Sequence, residues 1–274
     1  MGDVKNRTII LWLSLPLAVL VTIASVIGLT TEGFYSAETL NWQAQSVGQD
    51  IVDLFLIIPA LLISSYYAYR RHNGALLVWA GIIAFLVYTF TIYCFAVHFN
   101  ALFIVYCLTL GLSFYAMAWF LLTILKNDLP GILFKEVPYR LTALYLVIIA
   151  IVFYVLWLAE IIPAILNQEV PPSIKEAGLF TNTVHVIDLS VFLPGVLITA
   201  IFLLRKKITG FIMAPVLLSF FVWMNLSIGG LVIYMKKAGV EQEYTVAVIM
   251  GVLALLSAGL LVVYIKRIAK NTLL

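Results

Sequence analysis

Two stretches decide how this chain is built: QDIVDLFLIIPALLISSYYAYRR at positions 49–71 and VHVIDLSVFLPGVLITAIFLLRK at positions 184–206. Laid side by side without a gap, at an offset of 135 residues, Asp53 meets Asp188, Pro59 meets Pro194 and Arg70 meets Arg205. Leu, Ile and Val match by chance in any two apolar segments. An aspartate, a proline and an arginine at one common spacing do not. Further along each half, Gly111 to Lys126 runs parallel to Gly251 to Lys266 at an offset of 140, the slip being absorbed by a longer loop around Lys236 to Glu243. The chain therefore reads as two copies of one unit, residues 1–126 and 140–274, joined by a linker at 127–139 that contains Asn127-Asp128-Leu129-Pro130-Gly131.

The medium in which these copies fold follows from composition. Of 274 residues, 64% are hydrophobic and 11% charged, with a mean hydropathy of +1.12. A soluble domain is roughly half apolar and one quarter charged. No soluble core could hold this much apolar side chain, so lipid is the solvent for most of it. A spanning helix takes about 20 apolar residues, and eight stretches qualify: 9–29, 48–69, 74–97, 101–125, 140–165, 181–204, 209–235 and 244–265. The expected fold is an all-α membrane protein of about eight transmembrane helices in two four-helix repeats. An even number of helices per copy makes the copies parallel, related by an axis along the membrane normal.

Charge sets the orientation. Lys5, Arg7, Arg70, Arg71, Lys126, Lys135, Arg140, Arg205 to Lys207, Lys266, Arg267 and Lys270 fall on one side. The other side carries Glu32, Glu38, Glu169, Glu176, Glu241 and Glu243, with Lys175, Lys236 and Lys237 as exceptions. By the positive-inside rule both termini are cytoplasmic in a plasma (inner) membrane. The net charge of +3 is spent on topology and is no sign of a nucleic-acid partner. Cys94 and Cys107, the only two cysteines, lie inside apolar segments and read as packing residues.

Ionisable residues within spans carry the functional signal, because an aspartate at mid-helix costs about 2.5–3.5 kcal/mol to insert. Six cluster toward one face of the membrane: Asp50 and Asp53 opening the second helix, His98 closing the third, Glu160 near the end of the fifth, and His185 and Asp188 opening the sixth. Residues three apart share a helix face, so Asp50 with Asp53, and His185 with Asp188, each form a two-pronged face. Turned toward the axis between the halves, Asp53 and Asp188 would oppose each other. Such a pair must share a proton, meet an imidazolium or hold a cation. Asp53, Asp188, His185 and His98 also form a ligand set suited to Zn or a similar divalent metal.

Bland readings stand beside these. An acid in the first turn of a helix complements its dipole, which would account for Asp50. Turn chemistry would account for His98, and an intrabundle hydrogen bond for Glu160. Pro59 and Pro194 should kink their helices and open a cavity on the outer side of each half. Gly81, Gly111, Gly229, Gly230, Gly251 and Gly259 should allow close helix approach. Trp12, Trp42, Trp119 and Trp157 suit the interfacial belt, and Asn225 with Ser219 and Ser227 suits interhelical glue. No Walker loop, dinucleotide glycine pattern or CxxC pair occurs, and no lysine or arginine falls in the bundle interior.

The pattern resembles uncharacterised multi-pass membrane proteins of prokaryotes, a resemblance that carries no activity with it. Three functions remain open. The first is binding or transport of a small polar or cationic solute, or of a lipid head group, at the carboxylate–histidine cluster. The second is a membrane-embedded metal-dependent hydrolase using the same residues, and the third a scaffold subunit. The partners expected are the lipid bilayer and a small-molecule or lipid ligand.

Overall fold

The computed structural model describes residues 2–126 and 137–267, so most of the expected linker and its Asn127 to Gly131 stretch lie outside the described residues. Eight helices are long and apolar enough to cross a membrane. They are α1 (Gly2–Thr30), α2 (Leu40–Tyr69), α3 (Asn73–Ala96), α4 (Phe103–Lys126), α5 (Tyr139–Leu166), α6 (Thr183–Leu204), α7 (Ile208–Lys237) and α8 (Tyr244–Arg267). A short helix, Pro172–Ala177, interrupts the loop between α5 and α6. All regular structure among the described residues is helical.

Most boundaries match the hydropathy reading within two or three residues; the start of α1, at Gly2 where 9 was expected, and the start of α2 do not. Helix α2 begins at Leu40, eight residues before the apolar stretch, with Thr39 Oγ1 as N-cap accepting from the Trp42 amide. Its first turns are Asn41-Trp42-Gln43-Ala44-Gln45-Ser46, too polar to read as a span. Asp50 is therefore the eleventh residue of its helix, and the first-turn dipole explanation for it fails. The equivalent face of α6 does start a helix: Asn182 caps it, accepting from the amides of Val184 and His185, and His185 is its third residue.

The two prolines act differently from simple kinks. Each sits just after a π-helical turn, Asp53–Ile57 in α2 and Asp188–Phe192 in α6. A proline lacks the amide that would bond four residues back, and its ring crowds that carbonyl. The chain answers with one wide turn. Ile58 donates to the Asp53 carbonyl and Leu193 to that of Asp188, five residues back in each case. Thus both aspartates sit at the start of a π turn, a feature common at functional positions.

Boundaries recur at the offset read from the sequence. Tyr69 and Leu204 end α2 and α6, and Asn73 and Ile208 begin α3 and α7, each pair 135 apart. Arg71 and Lys206, again 135 apart, both take positive φ in the turns that follow α2 and α6. In the first half α2 packs on α1 and α3, with α4 against α1 and α3; in the second α6 packs on α5 and α7, with α8 against α7. Between the halves, α7 meets α3 and the start of α2, while α3 meets the start of α6.

The centre of the bundle is the α3–α7 crossing. In the apolar window of α3, 67% of residues are buried, against 17% for α8, which places α3 in the core and α8 at the periphery. A Cβ on Gly81 would lie 2.7 Å from the Val216 carbonyl oxygen, so the helices cross closely there. One turn further, Phe85 and Phe220 pair with ring centroids 6.5 Å apart. Gly230 likewise admits Val52. Gly111, Gly251 and Gly259 face open space, and the expectation that they seat neighbouring helices is not met. Two other expectations change. Arg7 is buried at the start of α1 and donates to the Ala68 carbonyl, so the bundle does hold a cation near its end. Lys236 and Lys237, the outliers in the charge pattern, occupy the last turn of α7, where cations complement the helix dipole, and Lys236 lies 4.2 Å from the Tyr244 ring centroid.

Candidate functional site

The polar residues of the spans separate into one sealed group and one open group. The sealed group is in the first half. Asp50 is buried, and both its oxygens are taken: Tyr35 donates to Oδ2 at 2.8 Å and Tyr93 to Oδ1 at 2.9 Å. Gly28 leaves the space for this, since a Cβ there would lie 2.8 Å from the Tyr35 hydroxyl and closer still to the carboxylate. Tyr35 belongs to the loop between α1 and α2; burial, and next the Asp50 charge, raise its phenol above the ordinary value, so it stays a donor. Asp50 thereby ties that loop, α2 and α3 together.

Asp53 lies one turn on and is also buried. Gln49 Nε2 donates to its Oδ1 at 2.8 Å, and Gln49 Oε1 in turn accepts from Ser227 of α7 at 2.6 Å. A glutamine and two tyrosines thus serve the two aspartates of α2, where the sequence reading looked to histidines. His98 is elsewhere: its amide and Nδ1 both reach the buried Glu38 carboxylate, at 2.7 and 2.8 Å, with its ring half exposed. This clamp joins the α1–α2 and α3–α4 loops and does not line the cavity described below. Glu160 accepts from the Ser173 amide at 2.8 Å and pins the short helix Pro172–Ala177.

The open group is in the second half. A cavity of about 390 Å³ lies between the halves, lined from α2, α3, α5, α6, α7, the short helix and Gln242 in the α7–α8 loop. That volume falls within the range of small-molecule sites, roughly 300–1,000 Å³. Its mouth is at the end of the bundle away from the termini, marked by Asn41, Glu176, Asn182 and Gln242. From Asn41 to Gln49 it follows α2 for eight residues, roughly 12 Å of helix. Phe192, Phe220 and Phe221 close the inner end with Tyr88; Phe192 and Phe220 have centroids 4.3 Å apart, and Tyr88 meets both edge-on.

Asp188 and His185 are in the wall of this cavity. Asp188 accepts from the Tyr88 hydroxyl of α3 at 3.1 Å and from Trp157 Nε1 of α5 at 2.8 Å, so both halves of the molecule hold it. His185 lies over Trp157, ring centroids 4.6 Å apart, with Nε2 3.5 Å from the Asn182 amide and 3.9 Å from Glu160 Oε2. Asn225, 4% exposed, also lines the cavity and has no hydrogen-bond partner among the described residues. Its side-chain amide is not sealed in protein but meets the cavity space, where a ligand or water can complete its bonding.

Of the six residues singled out in the sequence, the structure brings Asp188 and His185 to the cavity and Glu160 to their rear. Asp50 and Asp53 lie one hydrogen bond behind the wall, through Tyr93 and Gln49, and His98 lies outside. No three His, Cys, Asp or Glu side chains gather as a metal site among the described residues, so the expected ligand set of Asp53, Asp188, His185 and His98 does not assemble. Known proteins add nothing to this picture. The chain matches no family model, no curated protein and no solved structure.

Sequence reasoning missed the cavity's other polar residues. Trp157 reads as an interfacial belt residue and Asn225 as interhelical glue. The one usable signal is Asn41, Gln45 and Gln49 at intervals of four, an amide row on one face of α2 that hydropathy discards as loop.

Proposed function

We propose that this polytopic membrane protein binds, and carries across the bilayer, a small solute that enters the cavity between its halves from the outer side of the plasma membrane. The observation that carries the reading is the cavity wall itself: a carboxylate, Asp188, held by donors from both halves, with the Asn225 side chain also lining the cavity. A wall that served only packing would be apolar, because each unpaired polar group in it costs free energy. On this reading Asp188 is the charged centre, His185 its neighbour, and Asp50 and Asp53 are framework. The positive-inside pattern places both termini in the cytoplasm and the cavity mouth outside.

The same reading includes an internal duplication with its axis along the membrane normal. Equivalent positions meet at the α3–α7 crossing, Gly81 with Val216 and Phe85 with Phe220, each pair 135 apart and one turn from the other. Two equivalent contacts stacked along parallel helices are what such an axis produces; an axis in the membrane plane would give one. Solute access between two rocking halves is then a natural mechanism.

Access tests the proposal. In a variant whose two native cysteines are replaced by serine, Gln45→Cys and Asn225→Cys should both react with a small impermeant thiol reagent applied from outside intact cells, Asn225→Cys more slowly. Failure of Asn225→Cys to react from either side would mean that the cavity is closed and the proposal wrong.

A further inference from the structure

The chemistry of the cavity specifies its solute more narrowly, and this inference rests on the reading of the cavity as a binding site. We propose that the solute is a monovalent organic cation with an apolar, preferably aromatic body: an amphipathic amine.

Charge comes first. The lining contains two carboxylates, Asp188 in the wall and Glu176 at the mouth, and neither lysine nor arginine. The one titratable base is His185, and its Nε2 lies 3.9 Å from the Glu160 carboxylate, so any proton it takes up is matched by that acid. The cavity is therefore negative whether or not His185 is charged. Asp188 receives two neutral donors, from Tyr88 and Trp157, which leave its charge uncancelled. An anionic solute would meet a buried like charge; a neutral one would leave that charge without a counter-ion. A cation satisfies it, and the contact is charge-assisted.

Shape and surface select the rest of the molecule. Behind Asp188 the cavity ends in Tyr88, Phe192, Phe220 and Phe221, rings that meet edge-on or tilted. This surface suits an apolar body, and its π faces favour a cation beside them. An inorganic ion would leave it unused, and a divalent metal finds no third ligand among the described residues. Asn225, without a partner, offers a carbonyl to an ammonium hydrogen that Asp188 does not reach.

The experiment titrates protein in nanodiscs at neutral pH with three probes of one shape: 2-phenylethylamine as its cation, 2-phenylethanol as the neutral form and 3-phenylpropanoate as the anion. Calorimetry gives affinity, and the change in it when Asp188 is replaced reports the place. The cation should bind about tenfold or more tightly than the alcohol, the worth of a hydrogen bond to a charged group, and the anion should be weakest. Asp188→Asn should erase the difference between cation and alcohol, while Glu176→Gln on the exposed rim should keep most of it. Equal binding of cation and alcohol by the wild-type protein would overturn the cation proposal and leave the cavity reading standing. No binding of any probe would overturn both. The wild-type comparison needs no variant to fold.

Discussion

The aspartate-bearing turns of α2 and α6 use one backbone device to opposite ends. Each has an aspartate opening a π turn, a proline two residues beyond that turn, and a basic residue closing the helix. What differs is the residue one turn earlier and the packing around it. In α2 that residue is Asp50, sealed by Tyr35 and Tyr93 against Gly28. In α6 it is His185, and the aspartate after it opens on the cavity. One backbone device thus carries a buried acid in both halves, sealed in one and open to a cavity in the other. The distinction lies in the neighbours' donors.

The comparison breaks most visibly in stability. Asp50→Ala takes the Asp50 acceptor from Tyr35 and leaves Tyr93 only its longer bond to the Ser46 carbonyl at 3.3 Å; with the Tyr35 hydroxyl stranded at a cost of about 1–3 kcal/mol, the thermal midpoint in detergent should fall severely. Asp188→Ala, beside a cavity where water can replace the lost bonds, should cost only about 1 kcal/mol and abolish binding. A larger loss of stability at Asp188 than at Asp50 would reverse the assignment.

Glycines sharpen it next. Gly28→Ala drives a methyl into the Asp50 carboxylate, and Gly81→Ala drives one into the α3–α7 crossing. Each should cost about 1–3 kcal/mol by overpacking. Gly111→Ala, which meets nothing, should stay within about 0.5 kcal/mol. Equal midpoints for all three would show that the crossing is looser than described.

The smallest effect concerns a pair at equivalent positions, Tyr88 and Trp223, 135 residues apart. Tyr88 donates to Asp188, whereas Trp223 Nε1 is buried without a partner. Tyr88→Phe should cost about 1 kcal/mol. Trp223→Phe, which removes the unpaired donor but also some packing, should be close to neutral. A cost for Trp223→Phe as large as that for Tyr88→Phe would mean that the indole N–H is bonded after all.

The eight spans were legible in the sequence because length and apolarity are the conditions for crossing lipid. The start of α2 was not, because hydropathy assumes that a helix faces lipid. Asn41, Trp42, Gln45 and Ser46 face a cavity, so this polar start looks like loop. That one error displaced Asp50 from the middle of a helix to its first turn and supplied a capping explanation that geometry removes. The aspartates' partners were hidden for a different reason. Tyr35 in its loop and Tyr93, Tyr88 and Trp157 in their spans are amphipathic side chains, and sequence alone does not separate an aromatic that anchors at the interface from one that turns its donor inward. His98 and His185 drew attention as bases, yet both are paired with glutamates, Glu38 and Glu160.

The central claim, that Asp188 is open and the α2 aspartates are sealed, is tested most directly by carboxyl labelling. Protein in nanodiscs is treated with a water-soluble carbodiimide and an amine nucleophile, and modification at each aspartate is followed by mass spectrometry. Asp188 should be modified while Asp50 and Asp53 remain intact until the protein unfolds. Modification of Asp50 or Asp53 at the rate of Asp188, in folded protein, would contradict it.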